Sequence, residues 1–94
     1  MLNQSNDFYK RLEKQLSDSS AWPSLYKFKF ILKSDSGEIT NLKKMFDDID
    51  ANISSNFSSN KNFTSITVTA KMQSANDIIK KYKLASEIEG IISL

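Results

Sequence analysis

The chain has 94 residues, a net charge of +2 from 13 basic and 11 acidic side chains, 39% hydrophobic residues, and neither cysteine nor histidine. That length gives one domain with a single core, and the composition is that of a folded globular protein rather than a disordered one. Disulfides, thiol nucleophiles, imidazole bases and the usual zinc sites are excluded, and the near-balanced charge reads as a mixed surface rather than a nucleic-acid footprint.

The first residues lack the basic-then-apolar pattern of a leader, and no apolar run nears the ~18 residues of a membrane span, so a cytoplasmic location is expected. Residues 1–94 read as one domain, with 1–20 as an N-terminal helical extension. Residues 5–17 carry Phe8, Leu12 and Leu16 four apart, the spacing of one helical face. Ser5 is the expected N-cap, Asp7 suits the positive end of the dipole, and Ser17-Asp18-Ser19-Ser20 ends the helix. Trp22-Pro23 follows, with the indole expected to lid one edge of the core.

Residues 24–33 form the strand on which the rest depends. Tyr26, Phe28, Phe30 and Leu32 alternate with Leu25, Lys27, Lys29 and Ile31. Successive strand side chains point to opposite faces, so one face is aromatic and the other carries lysines. The turn Ser34-Asp35-Ser36-Gly37 leads to a helix over 38–47, with Asp35 and Glu38 at capping-box spacing. Ile39, Leu42, Phe46 and Ile49 share its buried face, with Met45 beside it. Asp47, Asp48 and Asp50 oppose the dipole at its C-terminus, which predicts an early end.

Residues 51–57 and 62–72 predict a hairpin turning at Asn60-Lys61, with Asn60 in the left-handed conformation. Phe57 then faces Thr64, Ser55 faces Ile66, Ile53 faces Val68 and Ala51 faces Ala70, which puts the apolar set on one side. Ser74 and Asp77 open the last helix. Ala75, Ile78, Ile79, Tyr82 and Ala85 form its buried stripe, and Lys80, Lys81 and Lys83 stay in water. The run from Glu87 to Leu94 is the last strand. After the first helix the order is βαββαβ, a ferredoxin-like α+β pattern. Both crossover helices then cover one face of a four-stranded antiparallel sheet ordered last, first, third, second, and the extra helix packs on an edge or across one end.

Three stretches, Trp22 to Phe30, Ser58 to Thr69 and Ser86 to Ile92, resemble a family of short bacterial proteins of unknown function. Its best-known member is described as a lipoate regulatory protein. The resemblance covers the chain from Phe8 onward and implies an ACT-like two-layer sandwich. Asn56 and Lys61 stand where the family carries an arginine and a turn glycine, so no anion-binding arginine is carried over. The family supplies no catalytic residues.

Two surfaces are candidate sites. Asp35, Ser36 and Gly37 form a loop ahead of a helix, where a backbone freed by glycine and open amides would take a carboxylate. It loosely resembles the ligand loop of ACT domains. Lys27, Lys29, Phe63, Ser65, Thr67 and Ile91, with Leu25, Ile31, Thr69, Lys71 and Glu89, are expected on the open sheet face. One ring and no basic-Gly-aromatic signature argue against an RNA-recognition surface. The acids near residue 48 lack the pattern of a calcium loop, so no metal or other cofactor is expected. No pairing of reactive groups appears, so the chain reads as a non-enzymatic regulatory or adaptor module that binds a protein partner or a second copy of itself through the sheet face or an edge strand. A sensor of a carboxylate-bearing metabolite at residues 35–38 is the alternative.

Overall fold

The computed structural model describes residues 2–19 and 21–94, with side chains from Asp7 onward. The elements are α1 (Leu2–Ser19), β1 (Ser24–Lys33), α2 (Glu38–Lys44), β2 (Ala51–Phe57), β3 (Phe63–Met72), α3 (Ala75–Ala85) and β4 (Ile92–Ser93). Among the described residues the result is a mixed α+β fold: three helices and a four-stranded sheet ordered β2-β3-β1-β4, every pairing antiparallel. These strand neighbours are the expected ones, and the arrangement is consistent with a ferredoxin-like fold. Element order departs from the plain six-element pattern by the added α1.

The alternation of β1 decides the layers. Phe28, Phe30 and Leu32 are buried opposite Val68, Ile66 and Thr64 of β3, while Lys27 and Lys29 face water. Phe28 is 0% exposed and lies within 6.2 Å, centroid to centroid, of the rings of Tyr26, Phe30, Phe46 and Tyr82. Each such buried ring contributes roughly 2–3 kcal/mol by area. Leu42 and Phe46 from the α2 region and Ile78, Tyr82 and Ala85 from α3 complete this core on the same side. Trp22 packs against its edge, as its position predicts.

The hairpin register is the predicted one, with Phe57 opposite Thr64, Ser55 opposite Ile66, Ile53 opposite Val68 and Ala51 opposite Ala70. Its turn differs in detail. Lys61, not Asn60, takes the positive φ of 63°. Asn60 instead uses its side-chain oxygen, accepting from the Asn62 amide at 3.1 Å and the Ser58 hydroxyl at 2.9 Å. A side-chain acceptor of this kind fixes the turn without asking the asparagine backbone to become left-handed.

Three further expectations are corrected and one is met. The helix α1 begins before Ser5, so Ser5 lies within it rather than at its start; its side chain, and Ser20, lie outside the described residues. Of the expected face, Leu12 and Leu16 pack on the core together with Tyr9, while Phe8 is exposed; α1 lies along α3. Lys83 places its ammonium 5.5 Å from the Tyr9 ring along that seam. The helix α2 ends at Lys44, the early end that the acids behind it predict, and its buried residues continue into a turn. Finally, the last strand is only Ile92–Ser93. Ile88 follows Ala85 by three residues and extends the buried stripe of α3 through a turn, with its amide donating to the Ala85 carbonyl at 3.0 Å. Gly90 at φ 79° then redirects the chain into β4.

If β1 is the centre of the core, Phe28→Ala costs roughly 3–5 kcal/mol in urea unfolding, while Leu25→Ala, at a position 73% exposed, costs under about 0.5 kcal/mol.

Candidate functional site

The bare face of the sheet is assembled row by row by the strand register. Leu25 sits beside Lys71, Lys27 beside Thr69, Lys29 beside Thr67, Ile31 beside Ser65 and Lys33 beside Phe63. On β2, Asn52, Ser54 and Asn56 continue the middle rows. On the other side Ile92 pairs with Ile31. Lys27, Lys29 and Lys33 are exposed, Phe63 is 41% exposed, and the stripe Ser65, Thr67 and Thr69 is half-buried.

The face therefore holds the predicted residues Lys27, Lys29, Phe63, Ser65 and Thr67, but not Ile91. Ile91 packs against the core, and Ile92 takes the open-face position. The cause is the turn at 86–90, which shifts the strand start and so exchanges the two faces, since strand side chains alternate with a period of two. Glu89 lies in that turn and not on the face.

The charge on this face is one-sided. No acidic residue occurs in any strand, whereas Lys27, Lys29, Lys33 and Lys71 all do. With a net charge of +2 overall, the rest of the molecule carries −2. The overall balance conceals this separation, which only the strand assignments make visible.

At the end of the sheet where β1 leaves, a recess of about 400 Å³ is lined by Lys33, Ser34, Asp35, Lys61, Asn62 and Phe63. Of the loop proposed to grip a carboxylate, only Asp35 reaches it. The expected Asp35–Glu38 capping box does not form. Gly37 occupies the N-cap position without a side-chain bond, the Ser36 hydroxyl accepts from the Glu38 amide at 3.1 Å, and the Glu38 carboxylate accepts from Asn41 at 2.7 Å. The hydroxyl of Ser36 is thus used locally. At α3, by contrast, Ser74 caps as predicted, accepting from the Asp77 amide at 3.2 Å.

At the opposite end lies a cleft of about 630 Å³ between the 48–50 segment, the end of β3 and α3. Here the structure corrects another expectation: Lys81 is not a wet residue. Its side chain is 9% exposed, with its ammonium donating to the Met45 carbonyl and, at 2.6 Å, to the carboxylate of Asp48. The ammonium also lies 5.3 Å from the Phe46 ring centroid. Lys81 falls three residues after Ile78, within the buried spacing, so its position rather than its polarity was the signal. Among the described residues no three acidic side chains gather where a cation would sit.

Two titrations are displaced. The hydrogen bond from Lys81 holds the Asp48 carboxyl below its usual value. Burial, and then the hydrogen bond with Tyr26 at 2.7 Å, push the Tyr82 phenol well above its usual range, so it stays protonated at neutral pH.

These elements define an α+β module with one helix-covered face and one open, lysine-bearing face. The chain belongs to a family described as a protein of unknown function (DUF493), whose family model matches residues 18–94. Nearly all of α1 precedes the matched stretch. No curated protein and no solved structure matches the chain.

The Lys81 contacts predict an asymmetry in urea unfolding. Lys81→Met, which keeps the apolar stem over Phe46, changes stability by less than about 1 kcal/mol. Asp48→Ala leaves a buried ammonium with the Met45 carbonyl but no counter-charge and costs roughly 1–2 kcal/mol. Because the folded-state Asp48 pKa is depressed, its contribution is present above the ordinary carboxylate value of 3.8 and is lost as pH falls through the lower folded value. Asp48→Asn removes that part of the acid limb.

Proposed function

We propose that this chain is a cytoplasmic, non-enzymatic regulatory or adaptor module with an ACT-like, ferredoxin-like sandwich, acting by binding a protein partner on its open sheet face. The observation that supports this reading is the face itself: four lysines, no acid, and Leu25, Phe63 and Ile92 exposed around a hydroxyl stripe. An antiparallel sheet can leave one side wet, but exposed aliphatic and aromatic groups set among one sign of charge are the makings of a contact surface. The phenol of Tyr82 is bonded, buried and protonated, and the ammonium of Lys81 is paired, so neither is offered as a reactive group. Among the described residues no helix is long and apolar enough to cross a membrane. The resemblance to a family that includes a lipoate regulatory protein favours a regulatory role.

The recess beside Lys33 and Lys61 supports a second reading, a sensor for a carboxylate-bearing metabolite, moved from the 35–38 loop to these two ammonium groups. A thermal-shift panel of amino acids and lipoate-pathway acids tests it. A rise abolished by Lys61→Glu supports the sensor, and a flat panel rejects it.

The adaptor reading predicts that partner recovery from the native cell is lost in Phe63→Glu and Lys29→Glu. It is retained in Lys83→Glu on the helical side. Equal recovery by all the variants contradicts it.

A further inference from the structure

The open half of the β1 edge specifies what kind of partner fits. The strand β1 runs from Ser24 to Lys33 and pairs along its whole length with β3. On its other side β4 pairs only at Phe30 and Ile31, with the Leu94 amide donating one residue further, to the Lys29 carbonyl at 2.9 Å. Among the described residues no strand lies opposite Ser24 to Phe28 on that side. The Leu94 contact fixes the phase. Lys29 turns its backbone groups toward the β4 side, so by alternation Lys27 and Leu25 do too. Their N–H and C=O groups stand in line with β4 and unpaired by any strand, and their side chains lie on the open face.

We propose that this half-edge, with the adjoining lysine face, takes an acidic, extended segment of a partner protein as an added antiparallel strand in line with β4. This rests on the adaptor reading and gives the partner its chemistry. Main-chain hydrogen bonds to Leu25 and Lys27 supply the attachment, and alternate side chains of the guest fall beside Leu25 and Lys27, with Lys29 one row further on, opposite Leu94. The position beside Lys27 favours Asp or Glu and the one beside Leu25 an apolar side chain, because opposite charges on neighbouring strands attract and like charges repel.

The same charges select against the other occupants. A second copy pairing its Ser24–Phe28 antiparallel with this half-edge would set Lys27 opposite Leu25 and diagonal to the other copy's Lys27, bringing two like charges together on one face. The edge of β2 is open too, but it carries no charge to choose a partner. A single-stranded nucleic acid would meet the lysines and leave the backbone edge unused, and its one ring platform, Phe63, lies at the far end of the strand beside Lys33.

The test titrates the full chain with two capped synthetic peptides of about eight residues, one alternating valine and glutamate and one alternating valine and lysine. Amide exchange is followed residue by residue. The glutamate peptide is expected to slow exchange at Leu25 and Lys27, while Tyr26 and Phe28, already paired with β3, change little. Lys27→Glu is expected to weaken that peptide by at least about tenfold and to admit the lysine peptide instead. Lys27→Pro removes the edge donor while sparing the ladder to β3, and is expected to abolish binding. Should that variant unfold, the charge reversal alone decides. Equal binding of both peptides, no protection at Leu25 and Lys27, or tighter binding of an oligothymidine overturns the proposal. If the peptides fail while Phe63→Glu still abolishes partner recovery, this inference falls and the adaptor reading survives. If Phe63→Glu is silent as well, both fall.

Discussion

The aromatic side of β1 holds the molecule together, and its other side is exposed as a direct consequence. Phe28 and Phe30 are completely buried, and the rings of Phe46 and Tyr82 close over both of them. A strand with this alternation cannot be covered on both faces at low cost, because the lysines at 27 and 29 would lose water without gaining a partner. The helices therefore gather on one side. The half-buried Ser65, Thr67 and Thr69 suit the boundary between a packed layer and solvent.

The distribution of charge follows from the same division. Acidic residues lie in helices, turns and loops, where they accept local hydrogen bonds, pair or meet water, and the strands carry lysine alone. Asp48 illustrates the first group. An acid at a helix C-terminus opposes the dipole, yet here it anchors the ammonium of Lys81 across the mouth of a cleft. Two residues that look misplaced in the chain compensate each other in space. Among the described residues the lysines of the bare sheet have no such compensation, and this is the physical basis for proposing a partner there.

Much of this was legible in the chain. The period-two pattern fixed β1 to its boundaries, and the apolar sides of 51–57 and 63–72 fixed the hairpin register, because a one-residue slip would turn Ile66 and Val68 outward. The buried stripe of α3 was equally clear. The end of the chain was not, since Ile91 and Ile92 are chemically alike and only the turn before them decides which faces the core. Nor was Lys81, whose burial depends on a carbonyl and a carboxylate more than thirty residues away. The loop at 35–37 has turn chemistry that serves a cap and a ligand equally well, and only the hydrogen bonds of Ser36 and Glu38 show how it is used.

The central claim is that the helices cover one face only and leave the lysine side of β1 unoccupied in the free chain. Lysine acylation under limiting reagent, read by peptide mass spectrometry, addresses it directly. The account predicts fast labelling at Lys27 and Lys29, with Lys81 protected by its burial and its contact with Asp48. Slow labelling at Lys27 and Lys29 in the isolated protein, or fast labelling at Lys81, would contradict it.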